Sequence, residues 1–222
     1  MTDTNSPPTT SPTILAALLG LTLVTGIIDA VSVLSLGHVF VANMTGNVVF
    51  LGFALARQGN VQVTTVLTAL LAFVVGAVAG GRLGAVARPR FAQGFALELG
   101  FLTLASALAC GMPVTAAVSY LLVGSLALAM GIRNALVRKL AIADMTTTVL
   151  TLTITGLAAD SSLAGGHNPR WGRRALAVLT MLGGALLGAL LLASTPRLVI
   201  PVSAMIELLA VLALLKALRA SA

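Results

Sequence analysis

Charge is what this sequence has least of: 13 basic and 6 acidic residues among 222, with 58% of the chain hydrophobic. A water-soluble domain of that length must cover most of its surface with polar groups, so the composition excludes a soluble helical core. Cysteine is nearly absent; the lone Cys110 rules out an intrachain disulfide and a cysteine metal cluster. Histidine is scarce as well. His38 and His167 have no third ligand at metal-binding spacing, so no metal site is expected. No Walker A loop, nucleophile elbow, HExxH pair or dinucleotide fingerprint appears, which argues against an ATP-driven pump, a familiar hydrolase or a bound cofactor. No nucleophile and base pair stands out, and the chain is not expected to be an enzyme.

Long apolar runs are what the sequence does have, with a mean hydropathy of +1.06. They cover about 14–36, 61–87, 91–111, 114–137, 172–193 and 197–219, each able to cross hydrocarbon roughly 30 Å thick. The fold expected is an all-α polytopic membrane protein whose first partner is the lipid bilayer. The formal charge of +7 comes from basic residues in small clusters between these runs. Such clusters mark membrane topology, and no nucleic-acid partner is expected. Met1 to Pro12 is rich in Thr, Ser and Pro and has no basic stretch, so residues 1–13 read as a disordered tail and the first apolar run as a retained helix.

Two further apolar segments are too short to cross. Ala42-Asn43-Met44-Thr45-Gly46-Asn47 leads into one at 44–57, and Ala143-Asp144-Met145-Thr146-Thr147-Thr148 leads into the other at 145–158. Fourteen helical residues reach roughly 21 Å, so these read as half-helices. The surrounding sequence repeats in order. Gly26-Ile27-Ile28-Asp29-Ala30 resembles Gly131-Ile132-Arg133-Asn134-Ala135 at an offset of 105, Ala42 to Thr45 resembles Ala143 to Thr146 at 101, and Glu98-Leu99 matches Glu207-Leu208 at 109. Residues 14–111 and 112–219 therefore read as two repeats within one membrane domain.

The basic residues decide how the short segments run. If all eight segments cross, six basic residues face seven and there is no bias. If the short segments enter and leave on the same side, only Arg57 and Arg197 lie on one face and the other eleven lie opposite. The positive-inside rule selects the second arrangement: six crossings, both termini cytoplasmic and two inverted three-crossing repeats in a bacterial inner membrane.

Polar backbone at membrane depth needs protein or a watery cavity around it, which makes the two broken segments candidate binding sites. The N–H groups at their helix N-termini carry partial positive charge, suited to an anionic or polar solute. Asn43, Thr45, Gly46, Asn47, Asp144, Thr146 and Thr147 are the expected contacts, with N-capping as the simpler role for Asn43 and Asp144. Asp29, with Asn134 as its repeat equivalent, reads either as a hydrogen-bonded structural group or as a coupling site. Arg133 can pair with Asp29 or Asp144. Glu98 and Glu207 lie too deep for surface charges and call for a partner such as Arg82, Arg133 or a backbone carbonyl. Gly76, Gly80 and Gly84, and Gly184 and Gly188, recur at four-residue spacing, which suits close helix packing inside the chain or, alternatively, a homodimer face. The leading expectation is a small secondary transporter of an anionic or polar small solute. The alternative is a non-transporting ligand sensor or scaffold.

The run Asp29-Ala30-Val31-Ser32, then Gly37 to Asn47, with Gly131, Asn134-Ala135, Arg138 and Thr146-Thr147 later, resembles the YoaK-like family of bacterial integral membrane proteins of unknown function. The resemblance covers nearly the whole chain after the first residues. It implies an inner-membrane protein of about six helices and brings no substrate. Arg133 departs from it, standing where a glutamine is expected in many relatives. The paired half-helices also look like those of the uracil-permease and sulfate-transporter superfamily, a likeness at the level of fold.

Overall fold

The computed structural model describes residues 11–84, 88–140 and 150–220, with the side chains of 88–90 left aside. Among the described residues there are eight α-helices: α1 (Pro12–Ser35), α2 (Met44–Leu55), α3 (Val63–Gly84), α4 (Arg88–Gly111), α5 (Ala116–Lys139), α6 (Leu150–Ala159), α7 (Trp171–Ser194) and α8 (Val199–Ala220). Six are long and apolar enough to cross a membrane, the last entered through a 3-10 turn at Pro196–Leu198; α2 and α6 are not. The first helix starts earlier than expected. Pro12 opens it from Ser11, because a proline preset near φ −65° and lacking an N–H suits a first helical turn, so 11–13 do not belong to a tail. The expectation for 1–10 falls outside the described residues, as does 145–149 of the second short segment.

Helix directions follow from which residues meet. Gly76 lies against Leu128 and Gly80 against Ile132, so α3 and α5 run parallel. Gly184 lies against Leu23 and Gly188 against Ile27, so α1 and α7 are parallel too. Arg133 of α5 reaches Leu21 of α1, whereas Leu122 of α5 lines a cavity with Val31 and Leu36; α1 and α5 are therefore antiparallel. By the same reasoning α4 is antiparallel to α5 (Gly94 on Leu136, Ala109 near Leu122), and α8 is antiparallel to α4 (Glu207 near Glu98, Arg197 on Cys110). Thus α1, α4 and α7 run one way and α3, α5 and α8 the other.

Two consequences position the site. The end of α1 and the start of α3 lie together, with Gly37 on Thr65, so the chain carrying α2 leaves and returns at one end of the bundle. The segment between α5 and α7 starts and finishes at the opposite end. Basic residues sort with these ends. Arg57 and Arg197 mark one, which we term the sparse end; Arg82, Arg138, Lys139, Arg170, Arg173, Arg174, Lys216 and Arg219 mark the basic end.

Backbone-to-backbone packing fixes the bundle. A Cβ on Gly131 would sit 2.2 Å from the Phe73 carbonyl oxygen, and one on Gly184 would sit 2.2 Å from that of Leu23. In lipid there is little hydrophobic drive between helices, so such small-residue contacts supply the attraction. The expectation of close packing within the chain therefore holds for Gly76, Gly80, Gly184 and Gly188, each of which faces a neighbouring helix of the same chain.

Candidate functional site

The chain between α1 and α2 turns back inside the bundle, where its backbone polar groups need partners. Asp29 and Asn47 provide them. Asp29 Oδ1 accepts from the N–H of Val41 (3.3 Å) and of Ala42 (3.1 Å). The Asn47 side chain accepts from Phe40 N–H (2.8 Å) and donates to Phe40 C=O (2.6 Å), treating that residue as a neighbouring strand would. Asn43 caps α2 by accepting from Gly46 N–H at 3.4 Å, and the ring of Phe40 packs over Gly46 and stacks on Phe50.

This changes the standing of several expected solute contacts. Asn47 is fully buried with both ends of its amide used by Phe40, as the Asp29 oxygen is used by Val41 and Ala42. The N–H of Gly46 goes to the Asn43 cap and that of Asn47 to the Asn43 carbonyl. Asn43 and Thr45 are exposed. Asp144, Thr146 and Thr147 lie outside the described residues. In its described part α6 packs on α7, and α2 packs on α3.

The charged groups meet elsewhere, roughly mid-way along the spanning helices. Arg133 is fully buried and its fork reaches three elements. Its Nε donates to Glu98 Oε1 of α4 at 2.5 Å, Nη1 donates to Leu21 C=O (3.1 Å) and Thr25 Oγ1 (3.0 Å) of α1, and Nη2 donates to Glu207 of α8. Glu98 and Glu207 are likewise fully buried, both bonded to the one guanidinium. Of the partners considered, Glu98 and Glu207 take Arg133. The pairing of Arg133 with Asp29 does not form, because the Asp29 oxygen serves the Val41 and Ala42 amides.

Thr25 was missed in the sequence. Its signal was there: Thr22, Thr25, Asp29 and Ser32 recur at spacings of three and four along an otherwise apolar helix, one polar stripe facing inward, and all four are buried. Nearer the sparse end, a polar cavity of about 170 Å³ is lined by Gly37, Asn60, Gln62, Thr65, Ser119 and Tyr120, with the Tyr120 hydroxyl bonded to Thr64 and Gln62. An apolar cavity of about 220 Å³ opens beside it among Val31, Leu36, Ala109, Leu122 and Ile200, with Arg197 in its lining. At the basic end, Arg174 donates to Gly156 C=O at 2.8 Å and pairs with Asp160 at 2.6 Å, tying the C-terminal turn of α6 to the start of α7.

Six spanning helices, two short ones and a buried ionic cluster define an all-α polytopic membrane protein. The chain belongs to the family described as "Protein of unknown function (DUF1275)", whose model matches residues 17–214. It is 36% identical over 150 residues to the UPF0700 transmembrane protein YoaK of Bacillus subtilis (strain 168), a match spanning 64% of this chain and 64% of that relative. The resemblance read from the Asn43 to Asn47 region is thereby borne out. No solved structure matches the chain.

Proposed function

We propose that this protein is a small secondary transporter of an anionic or polar small solute, built as two inverted three-crossing repeats in a bacterial inner membrane with both termini cytoplasmic. The observation that carries the reading is the reciprocal pairing of the halves. Exchanging α1 with α5, α2 with α6, α3 with α7 and α4 with α8 maps the helix contacts onto themselves, and α1 opposes α5 in direction. Each half's short segment returns to the end it left, at opposite ends of the bundle. That is the arrangement in which a solute site between broken helices is exposed alternately to either side. The concentration of basic residues at one end supports placing that end in the cytoplasm. Asn43 and Thr45, exposed at the tip of α2, are the proposed solute contacts from the first half, joined by Asp144, Thr146 and Thr147 from the second.

The scaffold alternative, acting through the glycines, has less support because Gly76, Gly80, Gly184 and Gly188 are already covered within the chain. The purified protein in proteoliposomes, offered a panel of small carboxylates, phosphates, sulfate and neutral polar solutes, tests the transport reading. Uptake of at least one solute, reduced in Thr45→Val, is expected. No uptake of any of them under either orientation of a proton gradient would refute it.

A further inference from the structure

Two carboxyl groups and one guanidinium meet in a fully buried cluster, and that count does not balance. If both glutamates were ionised, the cluster would carry a net negative charge in the hydrocarbon-spanning part of the fold, where uncompensated charge is costly. The hydrogen bonds show the same shortfall. Arg133 donates to one oxygen of each carboxyl, leaving Glu98 Oε2 and Glu207 Oε1 buried with no donor. Both carboxyls sit on the same guanidinium, Glu98 on Nε and Glu207 on Nη2.

We propose that Glu98 and Glu207 hold one proton between them, so that the crossing of α1, α4, α5 and α8 is a proton-binding site. The proton sits on one carboxyl as an O–H and is donated to the other, which stays ionised. Both bare oxygens are then satisfied and the cluster with Arg133 is neutral. Losing the proton leaves one cation facing two anions, so release must be driven by a change in the surroundings of the pair. Those surroundings can be named. Asp29 lies on α1 with its Oδ1 turned to the Val41 and Ala42 amides, while Thr25 and Leu21 of the same helix hold Arg133. Ser203 on α8 is turned to its own helix, donating to Val199 C=O. On the flanking helices, Arg82 of α3 lies near a helix end, and Arg173 and Arg174 lie at the start of α7, Arg174 being engaged by Asp160. As a site of proton coupling, the pair rests on the transport reading above; as a site that binds a proton, it rests on the geometry alone.

The chain contains only two glutamates, Glu98 and Glu207, so glutamate labelled with 13C at the side-chain carboxyl reports this pair and nothing else. Infrared spectra of the labelled full-length protein in lipid bilayers near neutral pH should show one protonated and one ionised carboxyl. In Glu98→Gln and in Glu207→Gln the protonated band should vanish, since the remaining carboxylate is matched by Arg133 and the glutamine amide can donate where the proton did. Two ionised or two protonated carboxyls in the unmodified protein would overturn the proposal, as would a protonated band surviving in either variant. The measurement on the unmodified protein decides even if a variant fails to fold. A protein that shows the band but moves no solute would keep the proton site and sink the transport reading.

Discussion

Gly184 and its neighbour Gly183 offer a test of what holds the bundle together. An alanine Cβ at 184 would stand 2.2 Å from Leu23 O and 3.1 Å from Leu23 C, whereas one at 183 meets nothing within 4 Å. Ordinary contact lies at roughly 3.5 Å, so Gly184→Ala must part α7 from α1 by about 1 Å. The obstacle is backbone, which cannot rotate aside. Overpacking of this kind costs about 1–3 kcal/mol. Both variants gain the same helix propensity over glycine, up to about 1 kcal/mol, so their difference isolates the contact. At about 2–4 °C per kcal/mol for a chain of this size, Gly184→Ala should melt about 2–12 °C below Gly183→Ala. The assay is thermal unfolding of the two purified variants in the same detergent, followed by helical circular dichroism. Gly131→Ala, which meets Phe73 O at 2.2 Å, should repeat the result in the α3–α5 pair, with Gly81→Ala as its neutral control. Equal midpoints for Gly183→Ala and Gly184→Ala would refute the claim that the glycines act by admitting the neighbouring backbone.

Asn47→Ala should remove both side-chain bonds to Phe40 and leave its part-buried N–H and C=O without those partners. That should destabilise the fold by about 2–4 kcal/mol, read as a lowered midpoint in the same melt. Asn47→Asp should recover only part of it, because a carboxylate cannot donate to the Phe40 carbonyl. In a Cys110→Ser background, Gln58→Cys and Leu163→Cys, both at exposed positions between the helices that flank them, should label from opposite faces of sealed membrane vesicles with an impermeant maleimide. Labelling from the same face would contradict short segments that re-enter from opposite sides.

Much of this architecture was legible in one dimension because lipid permits few solutions. A run such as Trp171 to Ser194 must be a helix to satisfy its own backbone, and a run such as Met44 to Leu55 is too short to do so across the bilayer. The partition of Arg57 and Arg197 from most of the other basic residues, read from order alone, matches the two ends of the folded bundle; Arg133, counted with those others in the sequence, is instead buried among Glu98, Thr25 and Glu207, because two deep carboxyls need its charge. The deep carboxyls Glu98 and Glu207 were visible too, because a glutamate ten residues into an apolar helix has to find a partner.

What sequence alone determined is therefore the number and approximate length of the elements and which side chains were out of place in hydrocarbon. These follow from the transfer energetics of single segments. Which misplaced groups meet was decided only by the tertiary structure. Arg133 could be read as a partner of Asp29 or Asp144, yet Asp29 serves the Val41 and Ala42 amides and Arg133 joins Glu98 of α4 and Glu207 of α8. Asn47 looked like a ligand contact and instead completes the backbone of Phe40. The physical reason is common to both: hydrogen bonding and charge balance are settled between neighbours, and close approach of α1 to α7 and of α3 to α5 at glycine fixes which neighbours those are.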